Sequence, residues 1–275
     1  MKVESIALGA PIWADLWTSD FDRAATFYNA IFGWEVPPGS ADFGGYSTAT
    51  LNGANIAGVM PKAGDPEAAG MPDAWTLYLH TADTGATAEA ITANGGTVVT
   101  APMEVGPFGT MAVGMDPAGS CFGIWQPNTH KGFGVLAEAG APCWFENLTL
   151  DVDKASAFYP ATFGLGLQVV PMGESAYNLL TSGDGENNMV AGITAVSSLD
   201  AAGMPSAWLA APGTPVHWLV YFGVNDTDAT IAQVESLGGR VIVGPDDNPF
   251  GRWAFLADPM GAIFAIISVQ NSAEG

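Results

Sequence analysis

Pro11-Ile12-Trp13-Ala14-Asp15-Leu16-Trp17-Thr18-Ser19-Asp20 returns 131 residues later as Pro142-Cys143-Trp144-Phe145-Glu146-Asn147-Leu148-Thr149-Leu150-Asp151, with an indole, a carboxylate, a threonine and an aspartate in matching places. Ala24/Ala155, Phe27/Phe158, Tyr28/Tyr159, Phe32/Phe163, Gly33/Gly164 and Tyr46/Tyr177 keep the same offset. After an insertion, Trp75/Trp218, Tyr78/Tyr221, Asp83/Asp226, Gly95/Gly238, Gly96/Gly239 and Pro102/Pro245 align at 143. Pro107-Phe108-Gly109 then meets Pro249-Phe250-Gly251, and Asp116-Pro117-Ala118-Gly119 meets Asp258-Pro259-Met260-Gly261. Chance does not produce so many ordered matches whose offset changes fall in Gly/Pro-rich segments, so the chain is an internal duplication. The reading is a first module over 1–128, a linker over 129–140 and a second module over 141–275.

The same stretch decides the local structure. Trp13 to Thr18 alternates as a strand with 13, 15 and 17 on one face. Asp20 follows as a helix cap, its carboxylate accepting from backbone N–H groups that have no helical partner, and Gly33 ends that helix in the left-handed conformation. Ala24, Phe27, Tyr28 and Ile31 form the buried stripe. Short strands are expected at 46–51 and 56–60, followed by a Pro/Gly-rich stretch over 61–72. The cycle then repeats from Trp75, with Asp83 as the second cap, Gly95-Gly96 as the stop and strands near 98, 111–115 and 122–125. Each half-module thus reads as strand, helix and about three strands. Four such units in mixed order predict an α+β fold and not a doubly wound sheet. Pro160 stands inside the helix that starts after Asp151, where it removes a hydrogen bond and is expected to kink or shorten it.

Composition narrows the functional classes. Seven Lys plus Arg stand against 28 Asp plus Glu, for a net charge of −21. Such a field repels phosphate backbones and anionic membrane surfaces, so neither nucleic acid nor membrane is an expected partner. Anionic ligands also find few counter-charges, since the arginines are Arg23, Arg240 and Arg252 alone. The start of the chain has no basic segment leading into a long apolar run, and no stretch approaches ~18 unbroken apolar residues; a cytoplasmic location is the expectation. The two cysteines, Cys121 and Cys143, form no CxxC pair and read as reduced, buried thiols. His80 and His130 carry no spacing signal and read as surface residues.

The run Asp20-x-x-x-Ala24-x-x-Phe27-Tyr28-x-x-x-Phe32-Gly33, with Asp116-Pro117-x-Gly119, resembles the glyoxalase/bleomycin-resistance/extradiol-dioxygenase superfamily, whose fold is the vicinal oxygen chelate architecture. The likeness covers nearly the whole chain and is nearest in flavour to tandem actinobacterial proteins labelled glyoxalase-like or hydroxylase-like. It implies four βαβββ units curled into two open-barrel cups, each holding one small molecule. Enzymes of the family chelate a divalent metal with His or Glu from the first strand of a half-module and Glu from the last. Here the first-strand columns hold Trp13, Trp144, Thr76 and Leu219, and the last-strand columns hold Gly123 and Ala265. None is an ordinary side-chain ligand, so no metal or other cofactor is expected.

Inward parity points Trp13, Trp17, Trp125, Trp144 and Leu148 toward the cups, joined by the loop residues Phe108 and Phe250; these are the candidate substrate-binding groups, although inward aromatics also simply fill cores. Asp15 and Glu146 occupy matching positions between apolar neighbours. Each is either a general acid/base or cation anchor with a raised pKa, or a carboxylate satisfied by backbone or tryptophan N–H donors. His217 is a candidate proton shuttle, with Ala74 at its place in the first copy, and Arg252 is a candidate clamp for a ligand oxygen, with Thr110 opposite. Asymmetry of this kind suggests one functional cup. Two functions follow: a metal-independent protein that binds or sequesters a planar neutral or cationic natural product or antibiotic, or a metal-independent lyase, isomerase or cyclase in which Asp15 or Glu146 with His217 moves a proton beside a carbonyl. Fusing two modules replaces the dimer that single-module relatives form, so a monomer or homodimer is expected.

Overall fold

The computed structural model describes residues 1–62, 70–172, 175–183, 188–196 and 217–268. The first module contributes β1 (Pro11–Thr18), α1 (Phe21–Phe32), a 3-10 turn (Ala41–Phe43), β2 (Ser47–Leu51), β3 (Ala54–Pro61), β4 (Ala74–His80), α2 (Thr84–Ala93), β5 (Thr97–Val105), β6 (Gly109–Met115) and β7 (Cys121–Pro127). The second contributes β8 (Pro142–Thr149), α3 (Val152–Phe163), β9 (Gly166–Met172), β10 (Ser175–Thr181), β11 (Met189–Ala195), β12 (His217–Val224), α4 (Thr227–Ser236), β13 (Arg240–Asn248), β14 (Gly251–Ala257) and β15 (Ile263–Ser268). The class is α+β, as expected. In the first half-module one strand is reduced to the two bridges Glu35↔Thr50 and Ser40↔Tyr46, because Pro37-Pro38 between them has no N–H to donate to a ladder.

Helix starts follow the aspartates. Asp20, Asp83, Asp151 and Asp226 each accept from the backbone N–H three residues on, at 2.9–3.1 Å, and Gly33 and Gly164 close α1 and α3 with φ of +74° and +68°. Pro160 does not shorten α3, which spans the same 12 residues as α1. It stands in the last turn, where a missing N–H removes one hydrogen bond and few residues remain to be displaced.

Within each module the first strands of the two half-modules pair antiparallel, β1 with β4 and β8 with β12, and the remaining strands extend outward on both sides. The orders are β2-β3-β1-β4-β7-β6-β5 and β9-β10-β11-β8-β12-β15-β14-β13, curled into two open cups. The pair His217↔Cys121 joins β7 to β12, so all 15 described strands form one unclosed sheet. The helices lie behind the cups on the strands of their own modules, and two of their tyrosines also reach across the pseudo-dyad: Tyr28 of α1 packs on Phe264, and Tyr159 of α3 packs on Phe122. The main core is this shared layer. Residues 129–140 are not a loose tether; Phe133 N–H donates to Ile12 O, Gly134 N–H to Asn55 O and Gly140 N–H to Gly223 O. Among the described residues no helix is long and apolar enough to cross a membrane.

Candidate functional site

Both duplicated carboxylates sit in the same constellation. In the first module Asp15 Oδ1 accepts from Trp13 Nε1 at 2.8 Å and Tyr46 OH at 2.7 Å, and the Tyr78 hydroxyl also bonds the carboxylate. In the second, Glu146 Oε2 accepts from Trp144 Nε1 at 3.0 Å and Tyr177 OH at 2.6 Å, while Thr194 Oγ1 donates to the other oxygen. The indole N–H is shared in each copy with the tyrosine oxygen, at 2.8 and 3.0 Å. The tryptophan N–H donors of one reading are present at both acids.

Sheet order builds this pairing. β3 lies between β1 and β2, so Tyr46, just before β2, must cross β3 to reach β1, and it crosses at a glycine. A Cβ on Gly58 would lie 2.0 Å from Asp15 Oδ1 and 2.1 Å from Tyr46 OH; one on Gly192 would lie 2.1 Å from Tyr177 OH and 2.4 Å from Glu146 Oε2. Tyr46, Tyr78, Tyr177, Tyr221, Gly58 and Gly192 carry the sites, and none was a sequence candidate. The signal that could have found them was the repeat, which aligns both tyrosine pairs in matching columns.

Burial sets the electrostatics. Desolvation raises Asp15 to a pKa of about 6 against the pull of its Tyr46, Tyr78 and Trp13 donors, and raises Glu146 in the same way. The carboxylates are surrounded by neutral donors, not cations.

A divalent metal does not fit this donor set. The ring of Tyr78 lies over Gly123, where a Cβ would come within 2.2 Å of Tyr78 Cδ1, and Tyr221 pairs with Ala265 in the same register. In the first module the last-strand ligand position is therefore covered by a phenol. Each site offers one carboxylate whose lone pairs already take three donors, and no group of three or more His, Cys, Asp or Glu side chains gathers among the described residues.

The other expected residues are placed as follows. Trp13 and Trp125 are buried in the first cup. Trp17 is half-buried beside Lys62, whose Nζ is 5.9 Å from its ring centroid. Phe108 stands at the rim against Phe43, centroids 5.2 Å apart, and Phe250 is exposed. His217 opens β12 opposite Leu148, one inward position from Leu219, which faces Glu146. Arg252 is held on the surface by Asp228 and Asp247 at 3.0–3.1 Å, so its charge is already paired within the chain.

The two histidines read as surface residues and the two cysteines read as buried thiols are corrected. His130 is half-buried, its ring 4.4 Å from Trp13 and 5.6 Å from Trp125, because the linker folds back over the cup; desolvation pushes its pKa down to about 4. His80 is half-buried too, with Nδ1 2.8 Å from Ile6 O. Cys121 is exposed, since the alternation of β7 gives the core to Phe122, and Cys143 is partly buried with its thiol pushed up to about 12. Two open surface cavities, of about 660 and 350 Å3, lie elsewhere, one beside Lys2, Asn52 and Lys131, the other beside Phe32 and Gln233.

Comparison with known proteins agrees with this architecture. The profile of the Glyoxalase/Bleomycin resistance protein/Dioxygenase superfamily matches residues 11–123 and 146–266. A Mycobacterium bovis protein named "Putative glyoxylase CFP32" is 38% identical over 265 residues, 94% of each chain. The anthracycline biosynthesis protein DnrV of Streptomyces peucetius is 33% identical over 279 residues, 96% of this chain and 95% of its own. Among solved structures, the Mn(II)-bound glyoxalase from Novosphingobium aromaticivorans superposes with a TM-score of 0.62 at 14% identity, covering 95% of this chain and 82% of that one. Duplicated modules, the pairing of their first strands and the matched segments together place this chain in the glyoxalase/bleomycin resistance protein/dioxygenase superfamily.

Proposed function

We propose that this member binds a planar, neutral or cationic small molecule without a metal, by stacking and by hydrogen bonds to neutral groups. The carrying observation is the replacement of the metal-ligand columns by indole and phenol groups arranged around one carboxylate per module. A rigid wall of aromatic groups with a few oriented polar atoms suits a flat ligand, and the net charge of −21 disfavours an anion. The relationship to an anthracycline biosynthesis protein over 96% of the chain supports a polycyclic natural product as ligand class. Such a ligand, and no nucleic acid, is the partner this reading requires.

The test is titration of tryptophan fluorescence with three planar probes: quinizarin (neutral), proflavine (cationic) and anthraquinone-2-sulfonate (anionic). Saturable quenching by quinizarin or proflavine with weak response to the sulfonate is expected. Preference for the sulfonate, or no saturable response to any probe, would refute the reading.

The pKa of about 6 at Asp15 favours one second reading, proton transfer beside a carbonyl by a carboxylate that changes charge near neutrality. Turnover with an apparent pKa near 6 that disappears in Asp15→Asn would establish it; pH-independent binding without turnover would exclude it.

A further inference from the structure

The larger of the two surface cavities, about 660 Å3, lies outside both cups, where residues 2–3, the β2–β3 hairpin and the linker meet. Its walls are fastened by backbone hydrogen bonds. Asn52 and Gly53, with φ of +51° and +77°, make the two-residue turn that joins β2 to β3, a conformation that suits an Asn-Gly pair. Gly134 N–H donates to Asn55 O at 2.7 Å, Gly134 O accepts from Val3 N–H at 3.0 Å, and Lys2 bridges Val135, so residues 2–3 and the hairpin are both tied to the linker. The hollow exists without rearrangement, and its volume falls within the range of small-molecule sites.

Charge in this hollow runs against the trend of the chain. Seven Lys plus Arg stand against 28 Asp plus Glu overall, but here Lys2 and Lys131 line the cavity with Glu138 as its one acid. Glu138 is itself paired with the Met1 amino group. Among the described residues neither Lys2 nor Lys131 enters an ion pair, whereas Lys62, Lys154 and Arg252 each do. Two ammonium groups brought to one hollow repel each other, and an anion taken between them replaces that repulsion with attraction. Half-buried Val3 and Leu51, with Phe133 behind them, give the same hollow an apolar side.

We infer that this cavity is a ligand site separate from the cups, and that it takes a small organic dianion of the aryl phosphate kind, the phosphate on Lys2 and Lys131 and the ring against Val3 and Leu51. An ammonium is a compact charge on a flexible stem, so two stems from separate segments can close on one phosphate without the fixed fork that arginine needs. The amides of Asn52 and Asn55 stand in the same lining and have N–H groups to offer the remaining oxygens. The acid-rich surface elsewhere repels such a ligand and confines it to this hollow. The assignment is independent of the binding proposed for the cups, which concerns neutral or cationic ligands.

Calorimetric titration at low salt with 1-naphthyl phosphate tests it, beside inorganic phosphate, which has the charge alone, and 1-naphthol, which has the rings alone. One molecule of 1-naphthyl phosphate per chain is expected, bound more tightly than either fragment and more weakly as salt is added. Lys2→Gln and Lys131→Gln are each expected to weaken it about fivefold, the upper range for one exposed ion pair. Lys154→Gln removes the same charge from α3 and is expected to leave the affinity unchanged. Quinizarin and proflavine quenching is expected to be the same in all three variants, since the cups lie elsewhere. No saturable heat with 1-naphthyl phosphate, an equal loss in all three variants, or full affinity in both Lys2→Gln and Lys131→Gln would overturn the site. Inorganic phosphate binding as tightly as 1-naphthyl phosphate would overturn the organic ligand class.

Discussion

At the scale of single residues, the duplicated carboxylate is carried at an energetic cost. Asp15 has its ordinary pKa of 3.8 raised to about 6 by burial, so between these values the folded chain holds a proton that the unfolded chain has released. Stability from this group is therefore greatest below about pH 4 and falls as pH rises through 6, opposite to the trend of a salt-bridged acid. The full effect is at most ~3 kcal/mol, reduced because the residue retains some contact with water. Glu146 and Asp258, also raised by burial, act in the same direction. Melting curves are expected to show a Tm that rises as pH is lowered from 7 toward 5, and a shallower rise in Asp15→Asn; an identical slope in the variant would show that Asp15 does not hold the proton. The neighbouring glycine gives a second test. Gly58→Ala places a methyl group inside the Asp15 and Tyr46 contact, and overpacking of this kind is expected to cost ~1–3 kcal/mol, read as a lower urea midpoint at unchanged m-value.

At the scale of elements, the end of β3 is fastened to the start of β4 by an ion pair that the sequence reading did not find. Lys62 Nζ lies 2.7 Å from Asp73 Oδ1 with both side chains buried, and Asp73 Oδ2 accepts from Ser19 N, Ser19 Oγ and Thr18 Oγ1 at 2.7–3.2 Å. Burial works against the charge of Asp73, but Lys62 and the Ser19 donors outweigh it and hold its carboxyl below the usual range. Lys62→Met removes one charge and leaves the other buried, so a loss of ~3 kcal/mol is expected in denaturant melts. Why this pair escaped notice, while the helix caps did not, is a matter of range. Asp20 and Asp83 reach a backbone three residues away, and Trp13 to Thr18 declares its strand by alternation, so each is legible in a window of ten residues. Lys62 and Asp73, or Asp15 and Tyr46, meet only once the order β2-β3-β1-β4 is fixed, and that order depends on pairing between distant strands. The repeat showed that Tyr46 and Tyr177 correspond, but not what they touch. His130 was misread for the same reason: its ring meets Trp13 of β1, 117 residues earlier, because the linker folds back over the cup.

At the scale of the whole molecule, the sequence marks that suggested the family turn out to bind the two modules together. The turn at Asp116 is held by Asp116 Oδ1, which accepts from Ala118 N and Ser120 N, and its other oxygen accepts from Tyr159 OH of the opposite module at 2.8 Å. The mirror contact joins Tyr28 OH to Asp258 Oδ2 at 3.2 Å. Trp75 Nε1 and Trp218 Nε1 donate to these same hydroxyls, at 3.2 and 2.9 Å. Each tyrosine thus ties the helix of one module to the turn of the other, in a fully buried layer of stacked and edge-on rings. Neither α1 nor α3 can leave without exposing aromatic core residues of both modules, so neither module is expected to unfold alone. Removing a single hydroxyl leaves a buried carboxylate oxygen and an indole N–H without their shared partner, a loss of ~1–3 kcal/mol by each substitution. Tyr28→Phe and Tyr159→Phe are therefore each expected to lower the midpoint of one cooperative transition, followed by far-UV circular dichroism and tryptophan fluorescence in the same samples. Coincident curves that shift together would show the modules folding as one unit; separation into two transitions, with Tyr159→Phe affecting only one of them, would show that the crossing tyrosines do not couple the modules.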